Sequence, residues 1–188
     1  MTAEYINKTV ETLLSGGVIL YPTDTVWGIG CDASNADAVE KIYSIKHRDR
    51  SKSMLLLASD SFATGDHAID LLLHSKNRPT TVIMPLRLLP GGMCVAPNLP
   101  ADDGTLGIRI PRHAFCQEVI RLLGNPIVST SANFSGQPTP ILRSDIDSRL
   151  VAMVDYCLPD FPEFASGASK PSRIVKLSEG GEIITLRV

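Results

Sequence analysis

Pro126-Ile127-Val128-Ser129-Thr130-Ser131-Ala132-Asn133-Phe134-Ser135-Gly136 is an apolar strand that opens directly into a loop of small hydroxyl and amide residues. In open α/β sheets ligands sit at strand ends. Short Ser and Asn side chains there add donors and acceptors to the backbone N–H groups that such a loop aims inward. Small polar residues also make ordinary turns, so the loop gains meaning from a second segment, Lys46-His47-Arg48-Asp49-Arg50-Ser51-Lys52. Four of its seven residues are Lys or Arg and one is His. One or two cations closing a helix complement its dipole. A denser cluster just before a buried strand suits a polyanion, with Arg giving bidentate contacts and Lys a point charge. A solvated charged turn is the alternative.

Around these two segments the chain alternates helix and strand patterns. Helices are predicted over 4–15, where Tyr5, Ile6, Val10, Leu13 and Leu14 share a side before Gly16-Gly17, and over 35–46, 67–75 and 113–123. Strands are predicted at 18–21, 25–30, 53–57, 81–84, 106–110, 126–129, 151–156, 173–177 and 182–187. This interleaving predicts a single-domain α/β fold over residues 1–188, a twisted mixed sheet with flanking helices. The Gly180-Gly181 turn between two strand-like runs predicts an antiparallel hairpin. Pro159 to Lys170, rich in Pro, Gly, Ser and Ala, reads as the most mobile loop.

Composition narrows the function classes. At 188 residues with 44% hydrophobic content the chain can bury one substantial core. A net charge of −2 gives no general basic face for coating nucleic acid, though local basic clusters remain. Cys31, Cys94, Cys116 and Cys157 form no Cys-x-x-Cys pair and read as reduced, mostly buried thiols of a cytosolic protein. His47, His67, His74 and His113 have no metal-ligand spacing, so no metal site is expected. Met1 to Lys8 is polar, without the apolar core of a signal peptide. The apolar stretch from Thr81 to Pro97 is broken by Pro85, Arg87, Pro90 and Gly91-Gly92, so no membrane association is expected.

Tyr21-Pro22-Thr23-Asp24-Thr25-Val26-Trp27-Gly28-Ile29-Gly30 is a third unusual run, with two threonine hydroxyls flanking Asp24. It contains Gly28-Ile29-Gly30-Cys31-Asp32-Ala33, which superficially fits a dinucleotide fingerprint. The acid that fingerprint requires should end the next strand, whereas Asp49 precedes the strand at Met54 to Leu57, which argues against it. Arg109, near the end of a buried-type strand, needs a partner or a cavity. A ligand carboxylate or phosphate and an internal Asp or Glu are both candidates.

Taken in order, these segments resemble the YrdC-like family, whose best-known members are threonylcarbamoyl-AMP synthases. The resemblance rests on Tyr21 to Gly30, on the Lys-x-Arg element Lys46-His47-Arg48, on Gly107-Ile108-Arg109-Ile110-Pro111, and on Ser131-Ala132-Asn133 with the following Ser135-Gly136-Gln137-Pro138. It implies a YrdC-like fold around a concave basic cavity. It also implies synthesis of L-threonylcarbamoyladenylate from L-threonine, bicarbonate and ATP, with release of pyrophosphate. The product would serve the t6A modification of tRNA adenosine 37, handed on by tRNA threonylcarbamoyl-transfer proteins in the cytoplasm.

By this resemblance Lys46, Arg48, Lys52, Thr81, Asn133 and Arg187 hold ATP, whose Mg²⁺ is carried largely by phosphates and water. Arg109, Thr25, Ser131 and Ser172 bind the amino acid, and Lys46, Arg48, Ser131 and Asn133 are the expected catalytic set. Positioning and cationic stabilisation of the departing pyrophosphate supply most of the catalysis. The chain departs from its relatives at Lys76-Asn77-Arg78-Pro79-Thr80-Thr81, where many carry Trp-Pro-Gly-Pro-x-Thr, and at Arg173, where they carry Thr. The alternative from a different class is a non-catalytic protein that binds double-stranded RNA or tRNA through the same basic cavity. A related carbamoyl-adenylate chemistry with another acceptor is a third reading.

Overall fold

The computed structural model describes residues 3–50, 54–160, 171–178 and 180–188. Its helices are α1 (Ala3–Leu14), α2 (Ala36–Lys46), α3 (His67–Leu73), α4 (Ala114–Leu123) and α5 (Ser148–Met153). Helix α1 buries Ile6, Thr9, Val10 and Leu13, the three- and four-residue spacing of one helical face. It stops at Gly16, whose φ of 78° lets the Gly17 N–H reach Thr12 O at 2.8 Å. Helix α2 starts at Asn35, whose Oδ1 accepts from the Ala38 N–H at 3.0 Å. It ends with the same reversal at His47, φ 49°, where the Arg48 N–H reaches Tyr43 O at 3.0 Å.

The strands are β1 (Ile19–Tyr21), β2 (Gly28–Asp32), β3 (Leu55–Leu57), β4 (Thr80–Pro85), β5 (Thr105–Arg109), β6 (Ile127–Ser131), β7 (Tyr156–Cys157), β8 (Arg173–Leu177) and β9 (Ile183–Arg187). They form one sheet in the order β7-β1-β2-β6-β3-β5-β4-β8-β9. The β1–β7, β3–β5 and β4–β8 pairs are parallel and the other five antiparallel, so the sheet is mixed, as the sequence pattern predicts. The closing hairpin β8–β9 is antiparallel.

Register places the site. Gly28 lies opposite Ser131, Leu55 opposite both Ser129 and Gly107, and Arg109 opposite Thr81, which lies opposite Ile174. Side chains alternate along a strand, so these residues share one face of the sheet. The intervening Ile29, Leu56, Val82, Ile108, Val128 and Val175 turn the other way and are at most 2% exposed. One face is therefore apolar core, and the other carries glycines, hydroxyls and an arginine.

Two strand expectations are corrected. Residues 151–156 are not a strand: Asp147 accepts from the Arg149 N–H at 2.9 Å and starts α5, whose Leu150 is fully buried, leaving only Tyr156–Cys157 extended. The β-branched Val151 and Val154 mimic a strand composition there. Residues 25–27 precede β2 because the Thr23 hydroxyl accepts from the N–H groups of Thr25 and Val26 and holds them in a turn. Of the thiols, Cys31 and Cys116 are buried, Cys157 is half-buried and Cys94 is exposed, so the expectation of mostly buried cysteines is met by only half of them. Ser53, and Phe161 to Lys170 of the expected mobile loop, lie outside the described residues.

Candidate active site

The polar face of the sheet floors a cavity of about 290 Å³. Thr25, Arg48, Thr81, Arg109, Ser131, Ser172 and Arg187, all expected from the sequence, line it. Lys46 and Asn133 do not line it and stand behind its wall, and Lys52 lies outside the described residues. Thr23, Gly28, Gly107 and Thr139 line it without having been singled out for the site. The signal for Gly107 was its position two residues before Arg109, hence on the same strand face. A Cβ there would lie 3.3 Å from both Leu55 Cβ and Thr81 Cγ2, so the missing side chain keeps the floor open.

The glycines of β2 have another cause. A Cβ at Gly30 would sit 2.2 Å from Val128 O and 3.0 Å from the buried ring of Tyr21. Gly28-x-Gly30 lets a tyrosine ring lie across the strand, and the segment is an antiparallel strand and not a phosphate-binding turn. The dinucleotide reading is thereby excluded.

Arg109 stands at the end of β5 and is 3% exposed. Its Nη1 donates to Thr25 Oγ1 at 2.7 Å and lies 3.5 Å from Asp24 Oδ1. Of the two candidates for its partner, the internal acid is present: Asp24 lies beside one edge of the guanidinium, while the residue also lines the cavity. A directed chain of hydrogen bonds follows. Thr23 donates to Val26 O at 2.8 Å, so the 2.9 Å contact between the two threonine hydroxyls is donated by Thr25. With its proton committed and Arg109 on one lone pair, Thr25 Oγ1 can offer a ligand only an acceptor. Ser131 is fixed in the same sense, because its hydroxyl donates to Asn133 Oδ1 at 2.5 Å.

The opposite wall is cationic. Arg187 donates through Nε and Nη2 to Ser172 O at 2.9 and 2.7 Å, and Ser172 Oγ lies 2.9 Å from Thr81 Oγ1. Burial lowers the Arg187 pKa, and the charges of Arg109 and Arg78 lower it further. Arg78 therefore adds to the field from the segment where the chain departs from its relatives. Arg48 is likewise lowered by burial. Arg173 instead reaches Thr185 Oγ1 at 3.3 Å and does not line the cavity. Among the described residues, those that line the cavity include Arg48, Arg109 and Arg187 but no carboxylate. Arg109 and Arg187 both stand on strands and repel one another, so an anion between them would lower their energy.

Fixed cationic donors beside hydroxyl acceptors on one face of a mixed sheet suit small ligands that carry both anionic and N–H or O–H groups. The chain belongs to the Sua5_yciO_yrdC family, described as "Telomere recombination", whose model matches residues 11–188. A threonylcarbamoyl-AMP synthase of Stenotrophomonas maltophilia is 35% identical over 157 residues, covering 81% of this chain and 84% of that protein. One of Hahella chejuensis is 33% identical over 183 residues, covering 96% and 97%. The structure of P. abyssi Sua5 complexed with L-threonine superposes with a TM-score of 0.77 at 22% identity, over 97% of this chain and 53% of that one. That likeness shows the fold.

Proposed function

We propose that the protein is an L-threonylcarbamoyladenylate synthase, an enzyme of the nucleotidyltransferase type. The observation that carries the reading is the polarity around Arg109. A guanidinium fixed on one edge faces the cavity beside Thr25 and Ser131, hydroxyls that can only accept. An α-amino acid matches this arrangement, with its carboxylate on Arg109 and its amine or hydroxyl protons on Thr25 and Ser131. The names of the curated relatives, and the L-threonine in the P. abyssi Sua5 structure, agree with it.

In the reaction the threonine amine adds to bicarbonate carbon with loss of water, giving a carbamate. A carbamate oxygen then attacks the α-phosphorus of ATP, the bond to the β-phosphate oxygen breaks, and pyrophosphate leaves. Arg48 and Arg187 face the cavity where that charge builds, which is the contribution a preorganised site makes. Among the described residues no group of three or more His, Cys, Asp or Glu could hold a metal ion. Mg²⁺ would enter with ATP, held by its phosphates and by water.

The product, threonylcarbamoyl-AMP, would pass to tRNA threonylcarbamoyl-transfer proteins for modification of adenosine 37, a role that fits the cytoplasm. No helix among the described residues is long and apolar enough to cross a membrane. The test is pyrophosphate release from ATP and bicarbonate with L-threonine, with L-serine or with neither. Threonine-dependent release is expected. Salt-sensitive RNA binding with no release under any condition would replace the synthase by the RNA-binding reading.

A further inference from the structure

Lys46 is as deeply buried as any charge among the described residues, 1% exposed, yet it does not line the cavity. An ammonium has three donors, and here all three have acceptors. Nζ donates to Ser131 O, to Asn133 O at 2.5 Å and to Asn133 Oδ1 at 3.4 Å. The main chain of the same residue holds the loop from its other side, where the Ser135 N–H donates to Lys46 O at 3.1 Å. Next to it the His47 ring stacks on Phe134 with centroids 6.1 Å apart, and the guanidinium of Arg149 on α5 lies 5.3 Å over Phe134. Asn133 completes the clasp, its Nδ2 donating to Gln137 O at 2.5 Å.

All three Nζ–H donors are directed at these oxygens, so a phosphate could reach Nζ only by displacing one of them. Arg48, two residues on, lines the cavity. We infer that Lys46 is a positioning residue and not a phosphate-binding cation: it pins the loop from Ser131 to Ser135 to the end of α2 and so fixes the Ser131 hydroxyl at the cavity wall. The inference rests on the proposed synthase only for its kinetic consequence, a fall in turnover when the loop loosens.

The experiment uses the full chain as wild type, Lys46→Met, Lys46→Arg and Arg48→Met. Amide hydrogen exchange at Ser135 and its neighbours is expected to rise about tenfold or more in Lys46→Met and to stay unchanged in Arg48→Met. ATP affinity across a sodium chloride series should lose slope in Arg48→Met and keep it in Lys46→Met, because only a cation touching phosphate releases counterions. Lys46→Arg should not restore loop protection, since a planar fork does not fit the pocket of a compact ammonium.

In wild type, which needs no variant to fold, the Lys46 ¹⁵Nζ resonance should not move when ATP is added. A shifted resonance, a flattened salt slope in Lys46→Met, or unchanged exchange at Ser135 overturns the inference. A wild type that binds ATP but releases no pyrophosphate with threonine overturns the proposed synthase and leaves the exchange and resonance arms standing.

Discussion

Two buried cations border one cavity and are used in opposite ways. Arg109 is held along one edge by Thr25 and Asp24 and lines the cavity, whereas Lys46 turns away from it and closes on carbonyls. The difference follows from where each side chain starts. Arg109 ends a strand whose alternate residues face the ligand, so its length carries the guanidinium onto the polar face. Lys46 ends a helix that reverses at His47, which directs the ammonium under the neighbouring loop. A buried charge, then, reports on function only once its partners are known.

The largest effect should come from the Arg109 side. Arg109→Met leaves Asp24, only 11% exposed, without its cation, at a cost of about 3–5 kcal/mol in thermal or urea unfolding. It should also raise the threonine requirement on the order of a hundredfold while ATP half-saturation moves much less. Adding Asp24→Asn to that variant should recover stability but not threonine binding. Recovery of both would make Arg109 structural and erase the contrast.

Gly107→Val is expected next. The new side chain meets Leu55 and Thr81 on the cavity floor, costing about 1–3 kcal/mol of stability, and titration calorimetry should show weakened threonine and ATP binding with an unchanged circular dichroism spectrum.

A pH series sharpens the Lys46 side. Burial, and then the charge of Arg48, bring its pKa down to about 7 from the ordinary value of 10.5. Above pH 7 the unfolded chain binds the proton more readily than the folded one, so this residue's contribution to stability rises with pH between those values. Below pH 7 both states are protonated and the contribution is flat. The urea midpoint of wild type should therefore rise relative to that of Lys46→Met as pH is raised from 7 to 10.

The smallest effect should be at His47. Glycine at its left-handed position relieves about 1 kcal/mol of backbone strain, while loss of the ring stacked on Phe134 removes about 0.5–1.5 kcal/mol. His47→Gly should change unfolding free energy by under about 1 kcal/mol, yet increase exchange in the loop.

Sequence periodicity captured most of the sheet because buried strands are apolar and bounded by Gly and Pro. It missed α5 because Val151 and Val154 outweigh a single Asp cap, and no local pattern says otherwise. The site was legible as residue types in order: Thr25, Arg48, Thr81, Arg109, Ser131, Ser172 and Arg187 do converge. What the chain alone could not give was direction. Whether a lysine faces a ligand or a carbonyl is decided by segments brought together from positions 85 to 87 residues apart, and whether Ser131 donates or accepts by the turn that brings Asn133 to it.

The most direct test is a crystal structure with L-threonine and a non-hydrolysable ATP analogue bound. The account predicts the threonine carboxylate on Arg109, its amine or hydroxyl on Thr25 or Ser131, and Lys46 Nζ still on the carbonyls of Ser131 and Asn133. Lys46 swung onto a phosphate, with Arg109 still closed on Thr25 and Asp24 and touching no ligand, would contradict it.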